Sequence, residues 1–343
     1  MQAFRTWPKS RTHVLARSFA DLRNRRGRVA EGQGLSAYNG AMIESALEVQ
    51  NLTMSYGDKT VVDDVSFSVA RGTIAAILGP NGAGKTTTIE SCEGLRTPVS
   101  GTISLLGLDR VAGDAEIRRR VGVMLQDGGL PQAPTAAAVL SHISKLHRNT
   151  RDVRELLDLL ELTDHSKTKV RHLSGGQRQR LSLACALVGN PDLVFLDEPS
   201  AGMDPASRRT LHGMIRNLAA SGTTVVLTTH LMDEAETLAD QVIVMRDGTI
   251  IADGPASELL GGRSMWIEGA HAETLRQILS PDLPGYEFLG RGDQLEIFGK
   301  NPATPGDLAK VAAALDRHAI NTVSVSLRPR SLEDLYFDLV EVQ

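Results

Sequence analysis

Two short stretches hold residues suited to phosphate chemistry. "GPNGAGKTTT" runs from Gly79 to Thr88, and Gly79, Gly82, Gly84, Lys85 and Thr86 fit G-x-x-x-x-G-K-[ST]. Glycines let a backbone wrap closely around a phosphate with its N–H groups turned inward. Pro80, Asn81 and Ala83 fill the other loop positions, and Thr87 extends the loop into a helix. Lys85 supplies charge for β- and γ-phosphates, and the Thr86 hydroxyl suits Mg2+. The second stretch is "LVFLDEP", Leu193 to Pro199, with four apolar residues ahead of Asp197 and Glu198. Ligands gather at the carboxyl ends of strands in open α/β sheets. Asp197 is expected to hold Mg2+ through water, and Glu198 to polarise an attacking water.

A third stretch, "LSGGQRQR" from Leu173 to Arg180, places Ser174 before a glycine pair and a long apolar segment. Glycine at a helix start costs stability and bares the backbone. Bare N–H groups at a helix N-terminus suit an anion.

The elements that must position these residues read as an α/β unit. From Ala46 the text alternates apolar and polar as antiparallel strands, and "TIAAILG" follows as a buried parallel strand. A helix is expected over 84–95, then a basic helix and a strand within 112–126. Residues 127–170 read as all helical. Beyond them helices alternate with "DLVFLD", "TVVLTT" and the hairpin "QVIVMRDGTIIADG". Alternation of this kind predicts a mostly parallel sheet covered on both faces. The glycine pair at 261–262 marks a boundary. After it the order is βαββαβ, a split-βαβ arrangement, followed by a last helix.

The expected units are an extension over 1–41, a cassette over 46–261 and an α+β unit over 262–343. The extension carries seven Arg and one Lys against Asp21 and Glu31. It reads as a disordered basic tail, with contact to anionic lipid or a transit peptide as alternatives. The chain of 343 residues has formal net charge −4, so the whole bears no nucleic-acid signature. Cys92 and Cys185 lie in apolar, helix-like stretches and read as buried thiols in a reducing cytosol. No apolar run reaches the ~18 to 20 residues of a membrane span.

The order P-loop, helical insert, "LSGGQ", "DEP" resembles the ATP-binding subunits of ABC transporters, over about residues 46–251. That resemblance implies a P-loop ABC ATPase cassette: a mixed sheet with an antiparallel β subdomain and an all-helical subdomain. It implies ATP and Mg2+ as cofactors. Tyr56 takes the place of the residue that stacks on adenine. Gln126 takes that of a glutamine contacting Mg2+ and the membrane partner. Ser174, Gly175, Gly176 and Gln177 match the signature, which covers the γ-phosphate held by a second copy. "SAGMD", Ser200 to Asp204, matches the loop crossing the dimer interface, and His230 matches the histidine that contacts the γ-phosphate. The implied partners are transmembrane permease subunits and a second ATPase subunit, a homodimer in preference to a heterodimer. The implied location is peripheral, on the cytoplasmic face of the inner membrane.

"RPRSLEDLYFDL", Arg328 to Leu339, resembles the C-terminal motif of ATPases serving drug- and polyketide-resistance exporters. Export is therefore expected, with import as the alternative. A mechanical ATPase of DNA repair or translation is disfavoured. Lys85 and Ser174 are only 89 positions apart with no heptads between them, and the chain has one cassette. "DGGLPQAPTAAAVL", at the expected docking surface, is richer in Ala than in relatives.

Overall fold

The computed structural model describes residues 36–38, 41–124, 129–260, 262–269, 271–299, 302–320 and 324–341. Gln126 and nearly all of the N-terminal extension lie outside the described residues. A short hairpin, β1 (Ser36–Tyr38) and β2 (Ala41–Ile43), leads in.

Strands β3 (Ser45–Tyr56), β4 (Lys59–Ala70), β6 (Ser100–Leu105) and β7 (Leu108–Asp109) form one antiparallel sheet. The main sheet is built from β5 (Ile74–Leu78), β8 (Val121–Met124), β9 (Leu193–Asp197), β10 (Thr224–Thr229), β11 (Gln241–Arg246) and β12 (Thr249–Pro255). Its order is β12-β11-β5-β10-β9-β8, parallel except for β12 at one edge. β5 and β9 are buried at every position, as continuous apolar runs require in a sheet covered on both faces.

Alternation along the central strands divides the core. Ile74, Ala76, Leu78, Val194, Leu196, Val225 and Leu227 face one side. Helices α3 (Ala136–Ser144), α4 (Val153–Leu159), α5 (Gly175–Leu187), α6 (Pro205–Ala220) and α7 (Met232–Leu238) supply the side chains that cover it. Ala75, Ile77, Leu193, Phe195 and Val226 face the other side. There they meet α1 (Lys85–Glu93), α2 (Asp114–Arg120) and the β3–β4 hairpin. Within 129–170 the described elements are α3, α4 and two short 3-10 turns, as the helical pattern predicts. The strand after α2 is described over Val121–Met124.

After α8 (Ala256–Leu259) come β13 (Arg263–Glu268), α9 (Ala272–Leu279), β14 (Tyr286–Arg291), β15 (Gln294–Gly299), α10 (Pro305–Arg317) and β16 (Ser324–Pro329). Their antiparallel sheet has the order β14-β15-β13-β16, the expected split-βαβ arrangement with its own core. The last helix, α11 (Leu332–Glu341), packs elsewhere. Leu332 and Leu335 join the first core, and the Leu332 N–H donates to Glu236 on α7.

Candidate functional site

The loop between β5 and α1 holds the phosphate-binding candidates. Gly84 is the N-cap of α1 with φ 97°, and a side chain there would press to 2.8 Å from the Val61 carbonyl. A Cβ at Gly79 would lie 2.3 Å from the Met245 carbonyl. Only glycine fits either place. No side chain caps α1, so its first N–H groups stay available at the positive end of the helix. Lys85 is 5% exposed. Its Nζ donates to the carbonyls of Gly79 (2.7 Å) and Pro80 (3.0 Å). Burial pulls the Lys85 pKa down, against the opposing charges of Glu198 and Asp197. Thr86 and Thr87 are half-buried in the first turn of α1, and Pro80, Asn81 and Gly82 are exposed.

Asp197 ends β9 and is paired in register with Thr228 on β10. The Thr228 hydroxyl donates to the Asp197 carboxylate. Burial raises the Asp197 pKa, and this hydrogen bond opposes it. The sequence alone does not single out Thr228. The visible signal is a hydroxyl at the carboxyl end of a strand beside β9. Glu198 has φ 46°, a left-handed backbone unusual outside glycine and a form of strain that clusters at functional sites. Its N–H donates to Thr228 Oγ1 at 3.1 Å. His230 Nδ1 stands 3.2 Å from Glu198 Oε1. The glutamate and histidine are thus brought together from the ends of two neighbouring strands.

Oxygen donors at Thr86 and Asp197 suit Mg2+, a hard cation that binds through few carboxylates plus phosphates and water. No group of three or more His, Cys, Asp or Glu forms a separate metal cluster among the described residues. The bare loop, the uncapped helix and the buried lysine likewise fit a triphosphate.

Tyr56, at the end of β3, is 44% exposed. Arg96 lies over its ring, 5.4 Å from the centroid, and is held by Glu90 at 2.9 Å. Glu93, on the same helix as Glu90, is a buried carboxyl pushed up to about 8, by burial first and then by Asp197 and Glu90. Neither Arg96 nor Glu93 stands out in the sequence.

Ser174 is the N-cap of α5. It accepts from the Gln177 N–H, and the Gln177 side chain accepts from the Ser174 N–H, a complete capping box. Ser174 and Gly175 are exposed. Asp204 caps α6 through the N–H groups of Ala206 and Ser207. The described residues of the chain do not close the signature onto its own phosphate loop.

A family model described as ABC transporter matches residues 62–201. A Nod factor export ATP-binding protein I of Ralstonia nicotianae is 36% identical over 303 residues, covering 85% of this chain and 93% of that protein. A daunorubicin resistance ATP-binding protein of Streptomyces coeruleorubidus is 40% identical over 223 residues, covering 64% of this chain and 71% of that protein. The solved structure of an ATP-binding subunit of an ABC transporter superposes with TM-score 0.58 at 30% identity, covering 62% of this chain and 91% of that one. The motifs follow one another in the family's order on the family's fold, and the chain belongs to the ATP-binding proteins of ABC transporters.

Proposed function

We propose that this ATPase closes as a homodimer around two ATP molecules and powers export through separate transmembrane subunits, from the cytoplasmic face of the membrane. The observation that carries the shared site is Gly175. It has no positive φ, and a Cβ there would meet nothing within 4 Å. Among the described residues nothing asks for glycine there, although glycine is a poorer helix former than Ala. A ligand approaching from outside does ask for it. The Ser174 hydroxyl accepts from Gln177 and keeps its own proton to donate to an anion.

In this reading the 79–87 loop wraps the phosphates and Tyr56 carries adenine. Lys85 turns from the Gly79 and Pro80 carbonyls to the phosphates. Mg2+, held by Thr86, Asp197 and Gln126, would neutralise phosphate charge. Glu198 takes the proton of the attacking water, and His230 orients the Glu198 carboxylate and the γ-phosphate. The 174–177 segment and Asp204 of the second copy complete the site. The names of the relatives support export. Among the described residues no helix is long and apolar enough to cross a membrane, so a membrane route would come from other chains.

A mixture tests the shared site. Ser174→Arg should leave the fold and ATP binding intact, since a lost N-cap costs ~1 kcal/mol. It should abolish ATP-driven association and hydrolysis. Mixed with Lys85→Ala chains, also inactive, it should regain ATP-dependent association through one intact composite site. Normal turnover by Ser174→Arg alone overturns the reading. Co-purification with a membrane subunit tests the export arm.

A further inference from the structure

His165 closes the 3-10 turn Thr163–His165, and its ring reaches α5. His165 Nε2 lies 2.8 Å from Gln177 Nε2, and both residues are half-buried. The oxygen of the same amide is already committed, because Gln177 Oε1 accepts from the Ser174 N–H at 2.9 Å. A backbone N–H can only donate, so the amide oxygen faces Ser174 and the amide NH2 faces His165. The ring nitrogen that meets it therefore accepts. This assigns His165 a neutral ring with its proton on Nδ1. One side chain thus links the ring to the N-cap of the signature helix.

The ring is held independently of Gln177. Leu162 ahead of it and Val170 behind it are fully buried in the first core. The segment between them pairs with the start of α3. The Ala137 N–H donates to the Ser166 carbonyl (3.0 Å), the Ala136 N–H to that of Thr168 (3.1 Å), and the Val170 N–H to that of Pro134 (3.0 Å). Gln177 has no such support. It stands in the first turn of α5, beside exposed Ser174 and Gly175, and a long side chain gives up rotamer freedom to stay on the cap. A second hydrogen bond at the far end of the amide offsets that loss.

We propose that His165 is a positioning residue for the signature and acts through Gln177. It holds the amide on the Ser174 N–H, and with it the serine whose hydroxyl remains to donate to an anion. The segment is then in shape before the second copy's ATP arrives, so its ordering does not weaken the closed dimer. This rests on the dimer reading above. Among the described residues no hydrogen bond joins the His165 or Gln177 side chain to the 79–87 loop, so ATP binding by the separate chain does not depend on the pair. α5 keeps another tie to the same region, Arg180 to Glu161 at 2.7 Å. The ring can therefore be changed while the helix stays packed.

The test places His165→Phe and His165→Gln in the wild-type chain and in Glu198→Gln. His165→Phe keeps a flat ring and removes the acceptor. The loss of one neutral hydrogen bond should lower kcat about fivefold and raise the ATP that Glu198→Gln needs to dimerise by about fivefold. ATP binding by the separate chain, titrated at high dilution, should not change. His165→Gln returns an acceptor oxygen near the place of Nε2 and should recover most of both losses. Beside Gln177→Met, His165→Phe should have no further effect, because its route is already gone. Unchanged kcat and dimerisation in His165→Phe overturn the proposal. A loss that His165→Gln shares, or one that persists in full beside Gln177→Met, overturns it as well and leaves the ring a packing feature. If Glu198→Gln with His165 intact does not dimerise with Mg-ATP, the dimer reading itself falls and this proposal with it. Should His165→Phe fail to fold, His165→Leu replaces it in every arm, and the same losses are expected.

Discussion

The phosphate loop and the signature segment both present glycines at a helix N-terminus, yet they are finished differently. At α1 the glycines are wedged against the Val61 and Met245 carbonyls, the first turn has no side-chain cap, and Lys85 is buried beside two carboxylates. At α5 the cap is local and complete, Gly175 stands in open space, and the surface is exposed. The first end exists only because distant strands press on it. The second is nearly self-sufficient and lacks a ligand within its own chain. One is a pocket, and the other has the form of a lid for a pocket elsewhere.

Glu198→Gln should sharpen this contrast most. Removing the proposed base should cost ~10²- to 10⁴-fold in kcat and keep ATP bound. The lid should then stay closed, visible as a dimer by size exclusion with Mg-ATP. Wild-type turnover by this variant would remove Glu198 from its role.

Lys85→Ala should break the pocket and spare the lid. Deleting a buried charge partner costs about 2 to 5 kcal/mol of binding, measured by ATP titration. The capping box at Ser174 should stay formed, and the melting temperature should change little. Near-normal ATP binding would count against the loop assignment.

Glu93→Gln probes the electrostatic strain on the pocket side. The native Glu93 pKa, about 8, lies above its ordinary value of 4.5. The folded chain therefore holds a proton that the unfolded chain has released. That contribution is fully present below about pH 4.5 and is lost as pH rises through about 8. The melting temperature of Glu93→Gln should fall less than that of wild type across this window. Parallel curves would show that the carboxyl is not strained.

Arg96→Ala should have the smallest effect. An exposed cation–π contact is worth ~0.5 to 1 kcal/mol, so ATP affinity should drop about two- to fivefold. Binding of inorganic tripolyphosphate should not change, because it has no base to stack. Equal loss for both ligands would place Arg96 with the phosphates.

The lid side was more legible in the sequence than the pocket side. A capping box is a four-residue event, and "SGGQ" spells it out. The loop 79–88 was legible as a motif, but its Lys85 contacts were not. Strand and helix alternation was readable because buried parallel strands are apolar throughout. The destination of α11 was not. An amphipathic helix states that it must be covered and does not say by which core, and Leu332 and Leu335 join the first core rather than the adjacent one.

The sequence by itself determined which strands are buried and where the helices start. Those properties follow from side-chain type and local spacing. Only the tertiary structure decided that Thr228 meets Asp197, that Glu198 takes a left-handed backbone and that His212 pairs with Glu234. Each depends on the register of neighbouring strands or on how two helices settle on a sheet. Thr228 and Asp197 are 31 residues apart in the chain, and a shift of one residue between β9 and β10 would turn one of them to the opposite face.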